Sequence, residues 1–240
     1  MNRTVLITGA AVRIGHVIAE ALAKGGWDVI VHANRSANQA GALCAHLRTL
    51  GRQAWQATGD LLAPTGPDAV FDAALDAAGP IDALVNNASL FARQPLAEAT
   101  PDDFERLWRV NTLAPIRLTQ RFAAHLSARR TSGCAVNLLD QRIAHTGCAG
   151  ATPYLLSKKA LEAFTLSAAL EFAPALRVNA VAPGAVLAPA NADAKEPAGL
   201  FPLRDRPTAA HVADAVAYLL DASAVTGQIL YVDSGQHLLP

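Results

Sequence analysis

The 240 residues are 52% hydrophobic and 17% charged, enough chain and apolar side chain to bury the core of one large α/β domain. Twenty basic residues balance twenty acidic ones and form no stripe, so composition argues against a nucleic-acid partner. The opening "MNRTVLITGA" is too short an apolar run for a secretory signal, and later apolar stretches are cut by Pro, Gly or charge; the expectation is a soluble cytoplasmic protein with no membrane span.

Short Val/Ile/Leu-rich runs alternate with Ala-rich segments of helical period, the pattern of βαβ units and a parallel sheet. The first strand, "TVLIT", runs into a turn holding Gly9, Arg13 and Gly15 before the helix "AVRIGHVIAEALAKG". Such a turn lets backbone N–H groups approach a pyrophosphate, with the helix N-terminus adding partial positive charge, although taken alone it reads equally as a plain strand-to-helix turn. The second strand, "WDVIVHA", ends in "NRS", and no Asp or Glu occurs between Ile30 and Thr58 to grip a ribose 2'-hydroxyl. Arg35 and Ser36 stand there instead, which fits a 2'-phosphate or, equally, a solvated loop with a helix N-cap.

The helix "SANQAGALCAHLRTLG" and the strand "QAWQAT" follow, and then Asp60, which either accepts from an adenine amine or caps the next turn. The strand "DALVNN" leads to Ala88, Ser89 and Phe91; a helical region covers Pro101 to Ser127; the strand "CAVNLL" ends at Asp140. The long helix "PYLLSKKALEAFTLSAALEFA" carries Tyr154 and Lys158, and "LRVNAVA" leads to Pro183-Gly184. Residues 187–207 are Pro- and Ala-rich and weakly periodic, and are expected to form a substrate lid. The helix "TAAHVADAVAYLLD" and the strand "QILYVD" complete about seven strands and five helical segments. Cys44, Cys134 and Cys148 are odd in number and lack ligand spacing, so packed thiols are expected, with no metal site.

Tyr154 and Lys158 lie four apart on a helix and share a face, whereas Lys159 points about a quarter turn away. An ammonium beside a phenol favours the phenolate, so the pair is expected to lower the Tyr154 pKa and serve as an acid/base at neutral pH.

Together, Thr8-Gly9-Ala10 with Gly15, Asn86-Asn87-Ala88, Asn111 in "VNTLAP", Tyr154 with Lys158, and Pro183-Gly184 resemble the short-chain dehydrogenase/reductase family. The resemblance implies a single Rossmann-type, doubly wound parallel sheet over residues 1–240 with helices on both faces, a nicotinamide cofactor, and a tetrad of Asn, Ser, Tyr and Lys. Asn111, Tyr154 and Lys158 match three of the four. Asp140 stands where the family has Ser. With Arg13 in place of a Gly, "HANRS", "NNASLF" and Asp140, the chain is similar to the pteridine reductase subgroup.

That likeness implies NADPH held by Gly9, Arg13, Ile14, Gly15, His32, Asn34, Arg35, Ser36, Asp60, Leu61, Asn87, Ala88, Ser89, Tyr154, Lys158, Pro183 and Gly184. It implies a flat substrate held by Arg13, Ser89, Phe91, Asp140 and Tyr154, and a homotetramer. Asp140 has a chemical meaning in that setting. A carboxylate opposes the oxyanion of carbonyl reduction, whereas reducing a C=N bond leaves a ring nitrogen in need of a proton that an Asp/Tyr pair can relay. The expected function is reduction of a pterin or dihydropterin. The alternatives are a general carbonyl or 3-oxoacyl reductase, which Asp140 opposes, and a cofactor-sensing binding protein that has lost turnover.

Overall fold

The computed structural model describes residues 3–186 and 200–239, and its first strand, β1 (Arg3–Ile7), shows how the sheet is buried. Val5 and Ile7 face one apolar cluster and Leu6 the other, as strand alternation requires for a sheet covered on both sides. β2 (Trp27–Ala33) repeats the division, Val29 and Val31 on the first face and Ile30 on the second. The remaining strands are β3 (Ala54–Thr58), β4 (Ala83–Asn86), β5 (Gly133–Leu138), β6 (Leu176–Pro183) and β7 (Ile229–Val232). All pair in parallel in the order β3-β2-β1-β4-β5-β6-β7, so the strand order reverses direction at the β1/β4 junction. A crevice opens beyond the strand ends at such a reversal, which is where ligands of open α/β sheets bind.

Helices α1 (Arg13–Lys24), α2 (Ala37–Thr49) and α7 (Ala209–Asp221) cover the first face. The second is covered by α3 (Gly66–Ala78), α5 (Ala114–Arg129) and α6 (Thr152–Glu171). Helix α3 corrects the sequence expectation, which assigned none between the third and fourth strands. Its Gly66-Pro67 start resembles a loop, yet Pro near a helix start forgoes an N–H that would have no intrahelical partner. Val70, Phe71 and Ala74 then bury its inner face, and Arg117 and Arg121 of α5 clamp Asp68 on its outer side.

The helical region expected from Pro101 to Ser127 is also divided. α4 (Pro101–Trp108) and α5 are joined by a wider π turn over Arg109–Leu113. Pro115 has no N–H for the carbonyl four residues back, that of Asn111, which accounts for a widened turn at that point. Of the expected lid, residues 187–199 lie outside the described residues. In the rest, Phe201 is buried and Leu203 exposed.

Candidate active site

The crevice beyond β1, β4 and β5 is a cleft of about 1430 Å³. Every residue assigned to cofactor or substrate from the sequence lines it, and of the proposed tetrad only Asn111 does not. At one end the Gly turn follows β1. Gly9 has φ +62°, and a Cβ on Gly15 would come within 2.4 Å of the Gly9 carbonyl oxygen and 2.6 Å of Asn87 Nδ2, so no side chain fits between turn and helix. Asn87 fastens this turn to β4: its side-chain amide donates to the carbonyls of Thr8 (2.8 Å) and Gly9 (3.1 Å).

His32 holds the turn from the other side. Its Nδ1 accepts from the Gly9 N–H at 3.1 Å, which leaves Nε2–H to donate to the Gly59 carbonyl at 3.1 Å. Burial lowers its pKa, keeping the ring neutral as this arrangement requires. Although His32 borders the cleft, both of its ring nitrogens are committed to the scaffold.

The helix starts facing the cleft are open. Neither Val12, before α1, nor Ser36, before α2, makes a side-chain cap, and neither first turn contains an acid. By contrast, α4 and α7 are closed by capping boxes at Thr100 and Thr208. Uncapped N–H groups with no competing acid suit an anionic ligand.

Arg13 stands in the left-handed region at φ 58°, a conformation that costs a non-Gly residue about 1–2 kcal/mol. The side chain is exposed in the cleft, so the strain accompanies a placed guanidinium. Arg13→Gly should therefore raise stability by about 0.5–1 kcal/mol, the strain relieved less the extra entropy of an unfolded Gly. Denaturant unfolding checks this, and lower stability would show that the side chain itself supports the fold.

The other end of the cleft is built on Asp140, just past β5. Its Oδ1 accepts from the Arg142 N–H and its Oδ2 from Arg142 Nη1, both at 2.9 Å. Tyr154 Oη donates to the same Oδ2 at 2.9 Å. Asp140 thus caps the turn over Gln141–Ala144 and pairs with Arg142 while also holding the phenol. Lys158 is fully buried and donates to the Leu138 carbonyl at 2.7 Å, with Nζ 6.0 Å from the centre of the Tyr154 ring.

The expected fall in the Tyr154 pKa is overturned. Burial, followed by the charge of Asp140 and its hydrogen bond, pushes the phenol well above its ordinary value. Burial pulls Lys158 down to about 8, with Asp140 opposing, so it remains an ammonium at pH 7. Tyr154 at neutral pH is therefore a phenol able to donate a proton.

Phe91 is 52% exposed at the cleft and stands edge-on to Tyr154, with centroids 4.8 Å apart and planes at 86°. It is not a core aromatic. The Arg142 guanidinium lies 5.7 Å from the centre of the Phe91 ring. Asn111, fully buried in the π turn, works from behind this wall. Its amide donates to the Leu90 carbonyl (2.9 Å) and Ser157 Oγ (3.0 Å), and its Oδ1 accepts from the Leu90 N–H (2.8 Å) and Ser89 Oγ (3.1 Å). It thereby ties the Ser89–Phe91 loop to α6. Sequence reasoning missed Arg142 as a cleft residue, together with Arg93, Arg106, Leu200 and Arg206.

Comparison with known proteins agrees with this architecture. FolM alternative dihydrofolate reductase 1 from Brucella canis, solved in complex with NADP, superposes with a TM-score of 0.91 at 33% identity over 100% of this chain and 96% of that one. Acetoin dehydrogenase from Enterobacter cloacae superposes with a TM-score of 0.92 at 31% identity, covering 100% and 97%. Human L-xylulose reductase is 31% identical over 98% of this chain and 96% of its own. The pattern of the family described as short chain dehydrogenase matches residues 3–199, and the chain belongs to that family.

Proposed function

We propose that the protein is an NADPH-dependent reductase of the C=N bond of a pterin or dihydropterin. The observation that carries this reading is the 2.9 Å hydrogen bond from Tyr154 to Asp140, set beside the half-exposed ring of Phe91. The Gly9–Gly15 cradle and the uncapped starts of α1 and α2 fit a dinucleotide, and Arg35 with Ser36, on the cleft wall at α2, fits a 2'-phosphate. The NADP complex of the Brucella relative supports the same cofactor.

Bound there, NADPH supplies a hydride to the ring carbon; the protein supplies the proton. Tyr154 Oη gives its proton to the adjacent ring nitrogen, so the C=N bond becomes C–H and N–H. The Asp140 side chain, 14% exposed, links the phenol to solvent for reprotonation. Phe91 gives a flat heterocycle an apolar wall.

Reduction of simple carbonyls is the second reading, favoured by the acetoin and xylulose enzymes among the similar proteins. Asp140 opposes it, because a carboxylate beside the Tyr154 hydroxyl repels a developing oxyanion. Consumption of NADPH and of NADH against a panel of dihydropterins and simple ketones tests the choice. Turnover of dihydropterins with NADPH preferred is expected, whereas turnover confined to ketones would refute the reading.

A further inference from the structure

The chain has no net charge, yet the cleft wall is strongly cationic, with Asp60 and Asp140 as its acids among the described residues. Most arginines elsewhere are spent. Arg3 pairs with Asp221, Arg129 with Asp82, and Arg177 donates to the carbonyls of Leu219, Leu220 and Val225. Within the cleft, Arg142 is taken by Asp140, Arg206 donates to the Ala185 carbonyl, and Arg13 and Arg35 stand at the phosphate end. That leaves Arg93 and Arg106, both exposed, with no side-chain hydrogen bond or ion pair among the described residues.

Their surroundings hold them at the cleft without a direct ion pair. Arg93 lies two residues beyond Phe91 on a loop pinned by the Gln94 N–H to the Gly150 carbonyl at 2.8 Å. Arg106 precedes Leu107, which is buried against Tyr154 and Ala151, so the packing that fixes the phenol also fixes this turn of α4. Of the acids near Arg106 in sequence, Asp103 and Glu105 have other partners, and neither they nor Asp102, one turn before it on α4, forms an ion pair with it among the described residues. Asp103 accepts from the Thr100 N–H and hydroxyl at 2.9 and 2.7 Å, and Glu105 accepts from Arg109 at 2.9 and 2.6 Å. Two guanidiniums that line the cleft beside a flat-ring site and make no ion pair of their own, Arg106 interacting with Asp103 only at a distance, form a subsite for negative charge, strengthened by field focusing in a cleft.

Resting on the pterin reading, we infer that the preferred substrate carries an anionic group outside its ring, a carboxylate or a phosphate ester, and that Arg93 and Arg106 hold it. The test compares three dihydropterins: one with a benzoylglutamate tail, one with a phosphate ester, and one with a neutral hydroxylated side chain. Wild type should favour a charged substrate, and the choice between the first two identifies the anion. The double variant Arg93→Ala/Arg106→Ala should raise KM for that substrate about tenfold or more, about 1.4 kcal/mol per tenfold, and leave kcat/KM for the neutral one within about twofold. An equal fall for charged and neutral substrates, or no preference in wild type, overturns the inference and leaves the pterin reading standing.

Binding of p-aminobenzoylglutamate and of inorganic phosphate to the NADP-loaded protein, measured by calorimetry, judges the subsite without turnover. Should no pterin be reduced, the pterin reading fails. The anion subsite then stands if either probe binds wild type and is weakened about tenfold in the double variant, and falls if neither does.

Discussion

Tyr154→Phe should leave fold and cofactor binding intact and lower turnover by about two orders of magnitude or more, the range for loss of a general acid. The ring remains, so its packing on Leu107 and its edge-on contact with Phe91 survive; only the hydroxyl that donates to Asp140 is lost. Lys158 adds a pH dependence to the same experiment. The profile of kcat/KM reports groups of the free enzyme, and Lys158 loses its ammonium as pH rises through about 8. Wild-type kcat/KM should accordingly be level through neutral pH and fall above about 8, with that limb absent in Lys158→Met. Tyr154 does not contribute a limb in this range, because its raised pKa keeps it protonated. Near-normal turnover in Tyr154→Phe would remove the proposed proton donor.

What the sequence made legible was local. Tyr154 and Lys158 share a helix face by spacing alone, and the Gly9–Gly15 turn sits between a strand and a helix in sequence as it does in space. Directions set by unlike distances were not legible. The four-residue spacing predicted that Lys158 would govern the phenol, but burial, and after it Asp140, fourteen residues upstream and accepting from Tyr154 Oη at 2.9 Å, reverse the shift. Helix α3 was hidden by a Gly-Pro start, although Val70, Phe71 and Ala74 carry its period. Arg93 and Arg106 read as ordinary solvated charges until the fold placed both along one cleft with Asp103 and Glu105 engaged by other partners. His32 borders the cleft as expected, yet hydrogen bonds 23 and 27 residues away give it a structural task invisible to local spacing.

Asp140→Asn should reduce dihydropterin turnover by about tenfold to a hundredfold with NADPH affinity little changed, since the amide keeps the shape but has no ionisable proton site. A purely structural role competes with the relay, because Asp140 also caps a turn and pairs with Arg142. If those contacts are its whole role, Asp140→Asn lowers thermal stability and leaves the kinetic constants of the folded fraction intact, and that outcome would sink the relay. Arg142→Gln separates the two further: it removes the ion pair while the Tyr154 bond to Oδ2 remains, so a structural role predicts the same loss of stability from either variant. Asp140→Ser tests specificity. It replaces a carboxylate with a donor and releases the Arg142 guanidinium, so a developing oxyanion near Tyr154 meets two donors where it had met a negative charge. Pterin turnover should fall and activity on a simple activated ketone should rise. A ketone rate unchanged by this substitution would mean that the carboxylate is not what separates C=N from C=O reduction in this cleft.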